Sequence, residues 1–318
     1  MTKAIRRFLV STAALGLAAV SSSASADNNE PSTHAGRATV YQSSSFDNNN
    51  SLETVSTPEA IRGMFNADGA PNVAPTRIWQ VLEHGEKMEC LTCIPLVSGL
   101  LYDSHPKTRE ISAWWLRRRI FGVFGKGQVY SQTVATLADS TQPENRRAYA
   151  ANALGEFLTF AGREPLGTAI RTDGSALVRQ SAVQALERLN ADGPDHELSI
   201  AMGDGEVTVR LAAVHAATRI NQFNDVTAIT ALVGDTEPTV RQAAAAALGT
   251  MRVTDAVDGL IVLASRDNES DASVRKAAIW SLGQIGDSAA ADVIADAQND
   301  PDGFVRDAAH VASLRLGL

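Results

Sequence analysis

The sequence predicts an all-α protein, an α-solenoid of about seven helical hairpins, on three observations. A short phrase built on Val-Arg and alanine returns at a nearly constant interval, apolar residues keep helical spacing within it, and Gly, Asp, Pro and Ser collect between the copies. The phrase stands as GDGEVTVRLAAVHAATRI at residues 203–220 and GDTEPTVRQAAAAALGTM at 234–251. It returns as SDASVRKAAIWSLGQIGD at 270–287 and DPDGFVRDAAHVASLRLG at 300–317. The arginine opening each second helix falls at Arg109, Arg147, Arg179, Arg210, Arg241, Arg275 and Arg306, with gaps of 38, 32, 31, 31, 34 and 31 residues. A period near 31 residues marks units that bury their apolar faces only by stacking on neighbours.

The first element is a leader rather than fold. Lys3, Arg6 and Arg7 precede a short apolar run at residues 8–20, and Ala24-Ser25-Ala26 forms an A-x-A cleavage site. The run is too short to span a bilayer as a helix, and no cysteine follows it that would take a lipid. Residues 1–26 are therefore expected to be a signal peptide, cleaved near Ala26, with the mature chain in the periplasm or the extracellular space; an uncleaved anchor is the alternative. Arg6-Arg7 leaves Sec and Tat export both open. Of 28 basic residues the leader holds three and no acidic one, so the mature chain carries 25 basic against 36 acidic side chains, a net of −11. That excludes a nucleic-acid partner on electrostatic grounds.

Residues 27–75 are rich in Ser, Asn, Thr and Pro and are expected to be a disordered linker, with PEAIRGMFNA at 58–67 as a transient helix. The repeat domain is expected over residues 76–318, beginning with TRIWQVLEHGE, in which Ile78, Val81 and Leu82 share a face. Next comes MECLTCIP at 88–95, with the only two cysteines, Cys90 and Cys93, in a C-x-x-C at the start of the first repeat helix. A helix N-terminus lowers a thiol pKa, which makes the pair a candidate redox site. An exported chain meets oxidising conditions, which makes a structural disulfide the other reading. No thioredoxin-like βαβ pattern surrounds it. Ile94 stands where covalent haem attachment needs histidine, and His84 and His105 are the only nearby histidines for zinc.

REISAWWLRRRIFGVFG follows at 109–125, concentrating Trp114, Trp115, Arg117, Arg118 and Arg119 in a chain only 5% aromatic. Trp and Arg dominate binding hot spots, so these five are candidate partner-binding residues. Equally, Trp114, Phe121 and Phe124 could close the end of the array, since terminal repeats are atypical. Charge is uneven beyond this point: residues 87–163 carry a net of +4 and residues 164–318 a net of −10. A basic partner segment would suit the second half, and an acidic or aromatic one the Trp-Arg stretch.

Within the repeats, an aspartate recurs with the arginine. Asp103, Asp173, Asp204, Asp235 and Asp300 each precede theirs by six residues, while Asp139 and Asp267 precede Arg147 and Arg275 by eight, in turns that look longer. The second helices are alanine-rich, as in RQAAAAALG, and run toward a glycine at Leu154-Gly155, Leu248-Gly249 and Leu282-Gly283. Small side chains allow close helix approach, and alanine has the highest helix propensity.

The Asp-x5-Arg turn, the Val-Arg start and the alanine-rich second helix resemble HEAT repeats of the short, armadillo-like kind first named for phycobilisome lyases, over roughly residues 88–318. The resemblance implies that the Asp and Arg of successive turns form a hydrogen-bonded ladder, the use to which charge-assisted pairs are suited. It also raises two enzyme relatives. Deoxyhypusine hydroxylase-like proteins hold a di-iron centre on several His-Glu pairs; here the residue after the repeat arginine is Gln180, Leu211, Gln242, Lys276 or Asp307, and His196-Glu197 is the only such pair. A bilin lyase role conflicts with export. His215 and His310 lie within second helices and are assigned to packing or surface. No cofactor or metal is called for. The expected function is a non-enzymatic protein-binding scaffold of the cell envelope, taking its partner on the concave face. The alternatives are a thiol–disulfide or redox-sensing role at Cys90 and Cys93, or an accessory or maturation factor for an exported enzyme.

Overall fold

A computed structural model describes residues 56–119, 127–190, 195–220 and 223–318, all within the second of two units, residues 1–44 and 45–318. The expected signal peptide, the linker up to residue 55, and Phe121 and Phe124 lie outside the described residues. Two helices lead, α1 (Pro58–Arg62) and α2 (Pro75–His84). Seven hairpins follow in order. They are α3 (Ile94–Gly99) with α4 (Pro106–Arg117), α5 (Gln128–Ala138) with α6 (Glu144–Glu156), and α7 (Arg163–Thr172) with α8 (Ala176–Leu189). Next are α9 (Asp195–Met202) with α10 (Val207–Arg219), and α11 (Val226–Ala231) with α12 (Pro238–Met251). Last come α13 (Val257–Ala264) with α14 (Ala272–Ile285), and α15 (Ala291–Ala297) with α16 (Gly303–Leu316).

Proline at the first turn begins α1, α2, α4 and α12, where its missing N–H costs nothing. Asp271 and Asp302 cap α14 and α16 by accepting two backbone N–H bonds each. Gly286 and Gly317 end the same helices in the left-handed conformation.

The Val-Arg phrase now has a physical meaning. Val178, Val209, Val240, Val274 and Val305 are all fully buried, and four residues on, Ala182, Ala213, Ala244, Ala278 and Ala309 lie beneath them, also at 0% exposure. Burying such a valine contributes about 1.5–3 kcal/mol. The neighbouring arginine turns to the edge where the turns stack, and Arg147, Arg210 and Arg275 are themselves buried there. Second helices pack on one another throughout. Glycines allow close approach: a Cβ on Gly155 would stand 2.8 Å from Ala185 Cα, and one on Gly283 2.7 Å from Ala312 Cβ. These glycines lie inside the last turn of their helices rather than after it. At Gly249 the neighbour is Ser281, whose Oγ donates to Ala245 O across the interface at 2.8 Å.

The folded region starts before residue 76, which corrects the expected linker boundary. In residues 56–75, Ile61, Met64 and Phe65 are buried, and Ser56 Oγ donates to His84 O at 3.1 Å. Composition marks this stretch as polar, yet its three large apolar residues are enough to anchor it on α2.

Candidate protein-binding face

Five arginine–carboxylate pairs join successive turns. Arg147, Arg179, Arg210 and Arg275 each donate through Nε and Nη2 to both oxygens of Asp173, Asp204, Asp235 and Asp300, at 2.6–3.0 Å. Each aspartate also accepts the N–H two residues ahead, at Ser175, Glu206, Glu237 and Asp302. The arginine's Nη1 turns back to carbonyls of its own turn, such as Asp173 O for Arg179 and Asp204 O for Arg210. One guanidinium thus clamps two turns. Burial works to raise the pKa of these four aspartates, but the arginine and backbone donors outweigh it and hold each below the ordinary carboxylate range.

Two predicted rungs are corrected. Arg241 binds Glu269, at 2.6 and 2.9 Å, and Arg275 reaches back to Glu269 O; Asp267 takes no part, its N–H donating to Ser265. Glu269, not Asp267, stands six residues before Arg275, and that position sets the geometry whichever acid fills it. Asp139 is off the ladder for the same reason. Thr141 occupies the sixth place before Arg147, and Asp139 accepts from the Thr141 N–H and hydroxyl and from Gln142 Nε2. Those bonds, the Thr141 hydroxyl foremost, lower its pKa. Among the described residues Arg109 therefore meets no carboxylate: it binds Asp103 O and Ser104 O and stacks 3.8 Å from the Tyr149 ring. Asp103, at the first turn, accepts from His105 N–H. Arg306, at the last, donates to Asp300 O and Pro301 O.

The Trp-Arg stretch divides by burial. Trp115 is fully buried with its indole donating to Gly85 O at 2.9 Å, and Arg119 is 4% exposed. Arg119 stacks 3.5 Å over the Trp115 ring and binds the carbonyls of Trp115, Glu86 and Met88. Burial, with Arg118 alongside, lowers its pKa to about 10, so it stays protonated at neutral pH. Trp115 and Arg119 therefore cannot serve as a surface patch; they lock α4 onto the turn after α2. Trp114 and Arg117 are half-buried, and Arg118 is exposed and pairs with Glu86 at 3.2 Å. Neighbouring helical residues point about 100° apart, so adjacent tryptophans in a sequence do not share a face.

Cys90 precedes and Cys93 ends a 3₁₀ turn ahead of α3, with their sulfurs 1.96 Å apart and exposures of 5% and 0%. Cys93 Sγ faces Pro58 O at 3.8 Å, and Arg62 binds Thr92 at 3.2 Å, so α1 lies over the pair. Among the described residues no three His, Cys, Asp or Glu side chains converge to hold a metal. Glu197, of the lone His-Glu pair, is buried and faces Arg163 and Arg171 at 3.5 and 3.8 Å.

The most distinctive exposed surface lies elsewhere, on the second helices of the last three hairpins. Ala246, Ala277, Trp280, Phe304, Ala308 and Val311 line a groove of about 520 Å³, with Gln242, Lys276 and Asp307 on its walls. Trp280 is 43% and Phe304 71% exposed. Sequence reasoning passed over it because its two rings are 24 residues apart. The signal was present in the repeat register. Trp280 stands five residues after Arg275, a position also exposed at Gln184, His215 and Ala246, and Phe304 two before Arg306, a position exposed in every unit.

Residues 226–315, the last three hairpins, match the HEAT repeats family model. Comparison with curated proteins gives no match. Among solved structures the chain is similar to Kap95p in a structure concerned with RanGDP, at 14% identity and TM-score 0.57, covering 83% of this chain and 40% of that one. It is similar to the Escherichia coli protein YibA at 14% identity and TM-score 0.53, covering 84% and 95%. Human deoxyhypusine hydroxylase aligns at 19% identity over 84% and 96% of the two chains, but its TM-score of 0.35 carries nothing about fold or chemistry. The pattern of the matched segment, buried valine and clamped arginine, also runs through the third and fourth hairpins, so residues 226–315 are HEAT repeats and their pattern extends into the hairpins before them.

Proposed function

We propose that the protein is a non-enzymatic scaffold of the cell envelope that holds a protein partner on the face made by its second helices. The observation that carries this is the apolar groove with Trp280 and Phe304 left exposed, in a unit whose other large rings are mostly covered. Exposed aromatic residues over a small-residue floor are what interface cores are made of. Kap95p, which shares this fold at low identity, appears in its structure's description as binding RanGDP; binding is a use this fold supports. Work outside the cytoplasm is proposed on the leader sequence. The redox alternative has less in its favour, since both sulfurs are buried under α1 and a nucleophilic thiolate needs access. An accessory role toward an exported enzyme is the same reading with an enzyme as partner.

The test is site-specific photocrosslinking in cells, with a photoreactive residue at Ala246 on the groove or at Val262, 53% exposed on a first helix. A discrete adduct from position 246 that disappears with Trp280→Ala, and none from 262, is the expected outcome. Equal adducts from both positions, or none from 246, would sink the proposal.

A further inference from the structure

The second helices carry an arginine nine residues after the repeat arginine in four of the seven units: Arg118, Arg188, Arg219 and Arg315. Three of them are neutralised by a carboxylate from the preceding element. Arg118 pairs with Glu86 at 3.2 Å, Arg188 with Glu156 at 2.8 Å, and Arg219 with Glu187 at 2.8 Å. At Arg315 the place that Glu156 holds toward Arg188, nine residues after the preceding repeat arginine, is filled by Gln284. With the Gln284 amide turned to satisfy its neighbours, its oxygen accepts from Arg315 Nη1 at 3.0 Å and from Trp280 Nε1 at 3.2 Å. An amide fixes the guanidinium without cancelling its charge.

That uncancelled charge lies against a ring of the groove. The Arg315 guanidinium stands 4.5 Å over the Trp280 ring, and Lys276 Nζ 5.7 Å over Phe304. Among the described residues neither cation has a carboxylate within ion-pair distance, although Asp307 lines the same groove. A cation held against a ring keeps its charge while losing part of its water, which makes it a good receptor for an anion.

We infer, building on the groove as a binding site, that its occupant is an acidic peptide segment, with a large apolar side chain seated between Trp280 and Phe304 and an adjoining carboxylate on Arg315 and Lys276. This reverses the expectation of a basic partner drawn from the net charge of −10 over residues 164–318. Net charge is a property of the whole stretch, whereas the two exposed rings of the groove each carry a cation against them, Arg315 on Trp280 and Lys276 on Phe304. The carboxylate that Glu156 and Glu187 supply from within the chain is here supplied by the partner.

The experiment uses the full mature chain and two fluorescein-labelled probe peptides read by anisotropy, one with a phenylalanine flanked by glutamates and one with the same phenylalanine flanked by lysines. The acidic probe is expected to bind and the basic one to bind at least about fivefold more weakly, as for exposed ion pairs. Trp280→Ala should weaken the acidic probe by about thirtyfold, the scale of a hot-spot residue. Gln284→Glu supplies the missing internal carboxylate at a half-buried edge position and leaves the apolar core untouched. It should weaken the acidic probe about fivefold with the unfolding midpoint unchanged or raised. If the basic probe binds as well as the acidic one and Trp280→Ala abolishes both, the groove stands and the acidic assignment is wrong. If neither probe binds at millimolar concentration, or Trp280→Ala has no effect, the acidic assignment falls; a crosslink at position 246 would then still decide the scaffold reading independently.

Discussion

Glu269 and Asp267 are two residues apart, both acidic, and only one of them is gripped by Arg241. Glu269 is 3% exposed, and burying a carboxylate without its cation is costly. Glu269→Gln should therefore lower stability by about 2–3 kcal/mol, while Asp267→Asn should change it by less than about 0.5 kcal/mol; urea unfolding of the two variants compares them directly. The arginine period was legible in the sequence because a clamp that spans two turns admits no other residue type. The acid was less legible, since either Asp or Glu reaches when its Cα sits at the right place. Titration belongs to the same scale. Asp173, Asp204, Asp235, Glu269 and Asp300 all have folded pKa values below their unfolded ones, because donor bonds outweigh burial. Their contribution is complete above the ordinary carboxylate range near about pH 4 and is lost as pH falls through the lower folded values. Thermal unfolding followed from pH 7 downward should show a midpoint steady to about pH 4.5 and falling steeply below pH 4. A steep fall at higher pH would contradict the assignment.

Between helices, contact is decided by one position, eight residues after the repeat arginine. Glycine fills it at Gly155, Gly249 and Gly283, and there the next second helix comes within van der Waals reach of the backbone. Glu187 and Thr218 fill it in the third and fourth units. Gly155→Ala and Gly283→Ala should each cost about 1–3 kcal/mol through overpacking, despite alanine's better helix propensity. Thr218→Ala, at an exposed equivalent, should be neutral or stabilising, and circular dichroism melts would separate the two cases. Seen in sequence, Leu-Gly looked like a helix ending, because glycine is commonest there; only the neighbouring helix reveals it as a contact. The same limit hid the burial of Trp115 and Arg119. Hot-spot composition says nothing about which side of a helix faces out.

At the scale of the folded unit, the first hairpin differs from the rest in being covered by α1 and α2, tied down by Arg119, by Ile61 and by the cysteine pair. Closing so short a loop stabilises by at most about 2 kcal/mol, so Cys90→Ser with Cys93→Ser should lower the melting midpoint by a few degrees only. It should leave peptide binding at Trp280 unchanged, since nearest-neighbour coupling does not carry across the four hairpins between. Loss of binding in that variant would make the cysteines part of the function and return the redox reading to the front. The hairpin count and the period were legible because both follow from a local pattern repeated in register. The start of the fold was not, since three apolar residues in a polar stretch do not raise its average.

The clamp has a further consequence, for how the array changes length. Each arginine joins its own turn only to the one that follows it, and Asp204 and Asp235 present that following turn in the same way to Arg179 and Arg210. Excising residues 204–234, one 31-residue interval, would bring Asp235 directly after Gly203 and offer Arg179 the same carboxylate in the same register. Duplicating that stretch would do the converse. A gene encoding this protein could thus gain or lose whole units at no cost in junction chemistry, and the spacing between the covered first hairpin and the aromatic groove is then an inheritable variable, adjustable in steps of one hairpin without redesign of either end.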